Sequence, residues 1–193
     1  MKPIYVLDTE TTGLNGAPVD HVVDIGIAAV DPSTGEVWPV YQSLVGYDVS
    51  EWDEVHRDAW VFAHTDLRLC DIGAAPPLDD VRFQVAGILA AERVTSYNVP
   101  FDFGRFLNRP PWSLSKVYDL APDIMEACTP VVADRSHPGS KHPRLINSYG
   151  ALCPDDPAGL AGTQRHRAQS DALAAAYVLR ELISRGEYPE ALS

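Results

Sequence analysis

An apolar, β-prone run, Ile4-Tyr5-Val6-Leu7, passes directly into Asp8-Thr9-Glu10, and this junction constrains the fold more than any other stretch. A run of that character near the start of a chain reads as a central strand. Side chains alternate along a strand, so residues 8 and 10 project to one side, a few ångströms apart. Two carboxylates at that spacing repel, and burying either one unpaired is costly. A hard divalent cation, Mg²⁺ or Mn²⁺, removes the conflict because it seeks oxygen ligands and accepts carboxylates together with water. Thr11, Thr12 and Gly13 come next, as suits a chain that turns tightly beside a ligand. By itself an Asp-x-Glu also describes a strand end with two solvated acids, so the rest of the chain must decide.

The remaining pattern is that of a mixed α/β chain. Residues 21–30 read as a second strand, Asp31-Pro32-Ser33-Thr34-Gly35 as a turn, and residues 36–45 as a third strand, so these two strands form a hairpin. Residues 46–77 lack clear periodicity and read as a loop with short helical pieces. Val81, Val85, Ile88 and Leu89 give residues 78–91 an amphipathic helical spacing, and a strand is expected over 94–97. Residues 101–107 predict a short helix with Pro100 in its first turn, and residues 117–120 a short fifth strand. Helices are expected over 143–152 and 168–184, with a loop rich in Pro and Gly between them. Three early strands and then strands interleaved with helices predict a mixed five-stranded sheet flanked by helices.

Length and charge narrow the function classes. At 193 residues the chain fits one domain, 1–193, with a sizeable core. No apolar run approaches the roughly 18 to 20 residues of a membrane span. The start of the chain has no signal-peptide pattern, and Cys70, Cys128 and Cys153 are too few and too scattered for a disulfide framework. The expectation is a cytoplasmic protein with no membrane partner. A net charge of −12 argues against indiscriminate binding of nucleic acid. The charge is uneven, however: nine acids lie between Asp48 and Asp80 against Arg57 and Arg68. Between Ala133 and Ala168, Arg135, Lys141, Arg144, Arg165 and Arg167 outnumber Asp134, Asp155 and Asp156, so a polyanion is expected to meet that later face.

Two further elements carry chemistry. In Ser96-Tyr97-Asn98-Val99-Pro100-Phe101-Asp102 a strand ends, Asn98 can cap the short helix after it, and Asp102 falls on the first helical turn. An acid there is common, since it favours the helix dipole. In His166-Arg167-Ala168-Gln169-Ser170-Asp171 the histidine stands at a loop-to-helix junction. Asp171 lies near the end of the first turn of an apolar helix, among residues that pack on the sheet. An acid facing a core is costly unless a metal or another cation meets it.

Asp8 through Leu14, Asn98 through Asp102, and His166 with Asp171 five residues later occur in an order that resembles the DEDDh exonucleases. These are the DnaQ-like or RNase T-like 3′→5′ exonucleases of the ribonuclease H-like superfamily. Asn147 to Leu152 also looks like the helix that precedes the last motif in proofreading-type members. The resemblance spans nearly the whole chain and implies a ribonuclease H-like fold. It implies that Asp8, Glu10, Asp102 and Asp171 hold two Mg²⁺ or Mn²⁺ ions, with Asp8 bridging. Two such ions, about 3.5 to 4 Å apart, serve an in-line displacement at phosphorus. It implies His166 as the base that takes a proton from the attacking water, a task suited to imidazole near neutral pH. The products would be nucleoside 5′-monophosphates, cut from single-stranded or frayed 3′ ends.

Thr9, Glu10, Thr12 and Asn98 are candidate contacts of the terminal nucleotide, Leu14 and Phe101 candidate packing partners of a base, and Arg144 and Arg165 candidate phosphate contacts. DNA is favoured over RNA, because relatives that degrade short RNAs tend to carry Met where this chain has Thr11. An exoribonuclease that trims RNA 3′ ends and a non-catalytic nucleic-acid-binding relative are the alternatives; the second would be expected to have lost a ligand. A polymerase or repair complex is a conceivable partner, met by direct docking. A zinc-stabilised interaction module built on Cys128, His137, His142 and Cys153 is a rival from another class, though the spacing fits no compact finger.

Overall fold

A computed structural model describes residues 2–132, 141–162, 164 and 166–189. Strands β1 (Ile4–Thr11), β2 (Val22–Val30), β3 (Val37–Leu44), β4 (Arg93–Ser96) and β5 (Asp119–Leu120) form one five-stranded sheet in the order β3-β2-β1-β4-β5. β2 runs antiparallel to β1 and to β3, while β4 is parallel to β1 and β5 parallel to β4. The second, third and fourth strands fall within one residue of the expected bounds, and the first runs on through Thr11. The fifth is shorter than the expected 117–120, and its two residues are exposed at the sheet edge.

Alternation along the strands divides the core into two layers. Ile4 and Val6 of β1, with Ala28 and Val30 of β2, face helices α5 (Ile124–Cys128), α6 (Leu145–Leu152) and α7 (Ala168–Ser184). Leu7, with Ile25 and Ile27, faces α4 (Leu78–Leu89) and a π-helix over Pro100–Leu107 that supplies Phe103 and Phe106. Because helices cover both faces of β2, all nine of its residues are buried, which explains its continuous apolar run. Within that run Asp24 is the exception, and it is only 3% exposed.

α7 lies close on the sheet because its inner face is built from Ala172, Ala175 and Ala176 with Val178, Leu179 and Leu182. Each of the larger side chains contributes about 2 kcal/mol by leaving water. Gly26 of β2 completes the fit, since a methyl group there would collide with the backbone at Ala168 and Gln169. α5 is not expected from sequence. At five residues it is too short to show a period, and Asp123 defines it by accepting the Glu126 N–H at 2.7 Å.

Residues 46–77 hold three short helices, α1 (Glu54–Arg57), α2 (Trp60–His64) and α3 (Leu69–Ala74), in keeping with the expected short pieces. They are not a loose loop. Trp52, Ala59, Val61, Leu67 and Ile72 close a small core of their own around Val23 of β2. Among the described residues, no helix is long and apolar enough to cross a membrane.

Candidate active site

The candidate side chains meet where β1 ends and the π-helix and α7 begin. Asp8 and Glu10 stand at the C-terminal end of β1 on the α7 side, as the period of two requires. Asp102 comes from the first turn of the π-helix and reaches round the strand end. There its Oδ1 accepts the Thr9 hydroxyl at 2.6 Å. Asn98 Oδ1 accepts the Phe101 N–H at 3.2 Å and so caps the turn that delivers Asp102. The π-helical winding, with the Asn108 N–H bonded to the Phe103 carbonyl five residues back, is not written in the apolar spacing, and such turns recur at functional sites. Asp171 enters from the first turn of α7, and His166 precedes that helix. Asp102 and Asp171 are 3% and 2% exposed, far below the norm for acids.

These residues line a cavity of about 470 Å³, together with Thr9, Asn98, Phe101 and Arg144. Its electrostatics are dominated by acids that cannot all ionise. Burial first, then the charges of Asp102, Asp171, Glu10 and Asp24, raises the Asp8 carboxyl well above the carboxylate range. Burial, with Asp171, Asp24 and Asp102, lifts Glu10 to about 8 against the pull of Arg167. Asp102 rises to about 6, burial outweighing the Thr9 hydroxyl, and Asp171 is raised by burial in spite of the Gln164 amide. That amide donates to Asp171 Oδ2 at 2.6 Å. Ligand atoms of Glu10, His166 and Asp171 all lie within 4.8 Å of one another. Buried, crowded oxygen donors whose carboxyls are raised above their ordinary range fit a hard divalent cation, whose charge would favour their ionised forms.

Asp24 escapes a reading of the sequence, although a single acid inside Val22-Val23-Asp24-Ile25-Gly26-Ile27 is the available signal. It lies directly across from Glu10 in the β1–β2 register. Like charges in that position destabilise a sheet unless a cation intervenes. Arg167 does so, its Nε donating to Asp24 Oδ2 at 2.8 Å, while its Nη1 donates to Asp66 Oδ1 at 3.0 Å. Arg167 is thus committed to two carboxylates and is not part of a basic face for a polyanion, contrary to expectation. Arg144 is exposed on the cavity wall. Arg165, Arg135 and His137 lie outside the described residues.

The other expected contacts divide. Phe101 lines the cavity with its ring edge-on to Phe106 at 5.2 Å. Thr9 lines it too, but its hydroxyl is engaged with Asp102. Thr12 is buried away from the cavity, and its hydroxyl accepts the His21 N–H at 2.9 Å to close the loop after β1. Leu14, 69% exposed, stands on that loop outside the cavity lining. The loop is docked on the π-helix, since the Arg105 guanidinium donates to the Leu14 carbonyl and the Ala17 N–H bonds to the Arg105 carbonyl at 2.9 Å. Cys128 and Cys153 are buried in the core, where burial pushes their thiols up to about 11 and about 12, the reverse of what zinc binding requires. His142 lines the active-site cavity instead, its Nδ1 2.9 Å from the Thr129 hydroxyl.

Residues 5–179, nearly the whole chain, match the RNase T family, described as exonuclease. The chain belongs to that exonuclease family. Asp8, Glu10, Asp102, His166 and Asp171 fall within the matched residues, in the order of the DEDDh resemblance. No curated protein matches it. Among solved structures, a full-length 3′-exonuclease superposes with a TM-score of 0.65 at 14% identity, covering 95% of this chain and 61% of that one. E. coli exonuclease I in complex with a dA16 oligonucleotide gives 0.65 at 16% identity, covering 95% of this chain and 41% of that one. The nuclease domain of 3′hExo, a DEDDh member bound to rAMP, gives 0.62 at 13% identity, covering 95% and 92%. At these identities the likeness is one of fold, and it agrees with the ribonuclease H-like sheet expected from sequence. The chain spans under two thirds of the length of the first two relatives.

Proposed function

We propose that this exonuclease hydrolyses nucleic acid from single-stranded or frayed 3′ ends and releases nucleoside 5′-monophosphates. The observation that carries the reading is the convergence of Asp8, Glu10, Asp102 and Asp171 with His166 on one cavity of about 470 Å³. Such a volume suits one terminal nucleotide better than a duplex. The domain, 1–193, acts as a single unit in this reading.

Asp8, Glu10, Asp102 and Asp171 would hold two Mg²⁺ or Mn²⁺ ions. When bound, such ions neutralise charge on the phosphoryl oxygens and on the leaving 3′ oxygen. The protein's own part is positional. Thr9 fixes the Asp102 carboxylate and Gln164 that of Asp171, so neither has to reorganise when substrate arrives. His166 takes the proton of the attacking water. Phe101 packs against the terminal base, Asn98 and Thr9 border the sugar, and Arg144, with Arg165, meets the phosphates on the strand side.

DNA is the preferred substrate in this proposal. Thr11, which stands where relatives acting on short RNAs tend to carry Met, donates its hydroxyl to the Gly13 carbonyl at 2.8 Å. A 5′-labelled single strand should give a ladder shortening from its 3′ end, and a blocked 3′ terminus should resist. Comparable cleavage of a circular single strand would mean an endonuclease and would remove the proposal. Competition between matched DNA and RNA oligomers tests the sugar preference.

A further inference from the structure

His166 occupies a demanding place. Its backbone has φ +51°, the left-handed region that a non-glycine residue enters at a cost of about 1 kcal/mol or more. Such a conformation persists only where the surroundings hold it. Two contacts do so, and both lead to the same exposed segment. The Trp60 ring stands edge to face with the His166 ring, centroids 5.0 Å apart at 85°. The next residue, Arg167, extends its guanidinium to Asp66 as well as to Asp24.

Trp60 is itself held. Its indole stacks on His64 at 4.5 Å and 8°, and His64 Nδ1 lies 2.9 Å from the Trp60 carbonyl. The adjacent Val61, 1% exposed, is anchored in the small core around Val23 of β2. Trp60 is 52% exposed, so burial does not account for an indole at this place.

We propose that the 60–66 segment positions the general base, with Trp60 setting the plane of the His166 ring and Asp66 steadying the backbone through Arg167. The inference rests on the reading of His166 as base. A base must offer its lone pair to one water along one direction, and small misplacements are expensive in rate. Trp60 is a positioning residue and touches no reacting atom.

A double-mutant cycle with His166 on a 5′-labelled single-stranded oligodeoxynucleotide tests this. Trp60→Leu should lower the single-turnover rate about 10-fold and leave KM within about twofold. Trp60→Phe should recover most of the loss, and Asp66→Asn should cost about twofold. In a His166→Ala background Trp60→Leu should cost nothing more, because its effect passes through the imidazole. Mn²⁺ binding, measured by calorimetry, should be unchanged in every Trp60 variant. A loss that persists in the His166→Ala background, or one expressed in KM alone, would mean that Trp60 contacts substrate and would overturn the proposal. A wild-type rate for Trp60→Leu beside a slow His166→Ala would overturn it while leaving the proposed function intact. A fast His166→Ala would remove the base assignment on which the inference rests.

Discussion

Two groups of acids in this chain show opposite behaviour. Asp8, Glu10, Asp102 and Asp171 are crowded, largely withdrawn from water, and raised towards their neutral forms. The acids of the 48–80 region are exposed, and several are held below the usual carboxylate range by local partners. Ser50 donates its hydroxyl and its N–H to Asp48, His56 donates its N–H to Asp53, and Arg68 forms a bidentate pair with Asp71. The second group supplies nine of the 27 acids of the chain, yet the first is the one gathered on the cavity. Net charge therefore describes the surface and says little about the site.

Removing a member of the first group has the largest expected effect. Asp8→Ala should lower turnover by roughly 10⁴-fold or more and weaken Mn²⁺ binding. Chelation with EDTA should do the same to the unaltered protein, with recovery on adding Mg²⁺ or Mn²⁺. Undiminished hydrolysis in a rigorously chelated sample would erase the distinction between the two groups.

A smaller effect concerns stability without metal. The Glu10 carboxyl ionises near 4.5 in the unfolded chain and near 8 in the folded one. Below about 4.5 both states are protonated and no penalty exists. The unfolded state gains by ionising as pH rises, so folding is progressively disfavoured until about pH 8, where the penalty is complete. Glu10→Gln should therefore raise the melting temperature of the metal-free protein at pH 8 by roughly 3 °C or more. The gain should shrink at pH 5 and reverse in sign when Mn²⁺ is present. Equal melting curves at pH 8 would show that the cluster is better solvated than its geometry implies.

The smallest effects separate the two surfaces. Arg144→Gln should raise KM about threefold, with less change in turnover, and reduce the salt dependence by about one counterion. Asp71→Asn, remote from the cavity, should leave both parameters within about twofold. An equal response of the two variants would deny the cavity wall any special part in meeting phosphate.

Asp8 and Glu10 are legible in the sequence because a period of two survives any context, and Asp102 because Asn98 and Pro100 announce a helical first turn. Asp171 is legible as an acid where an apolar helix should be apolar. Asp24 is not, since its meaning depends on Arg167, 143 positions away in sequence. Thr12 carries no signal of its orientation, because a hydroxyl that closes a loop and one that meets a sugar look alike in one dimension. Trp60 is hidden for a related reason: residues 46–77 fold in pieces shorter than any detectable period. Their anchorage on Val23 of β2 is wholly tertiary.

Gly26 sets how closely α7 can approach the site. It sits opposite Asp8 in the register, under the start of α7, where the backbone of Ala168 leaves no space for a side chain. Any other residue there would lift the helix and carry His166 and Asp171 away from β1 together. One position without a functional group thus governs two that have them. A single added methyl here would disturb the cavity while every acidic side chain that lines it is still encoded.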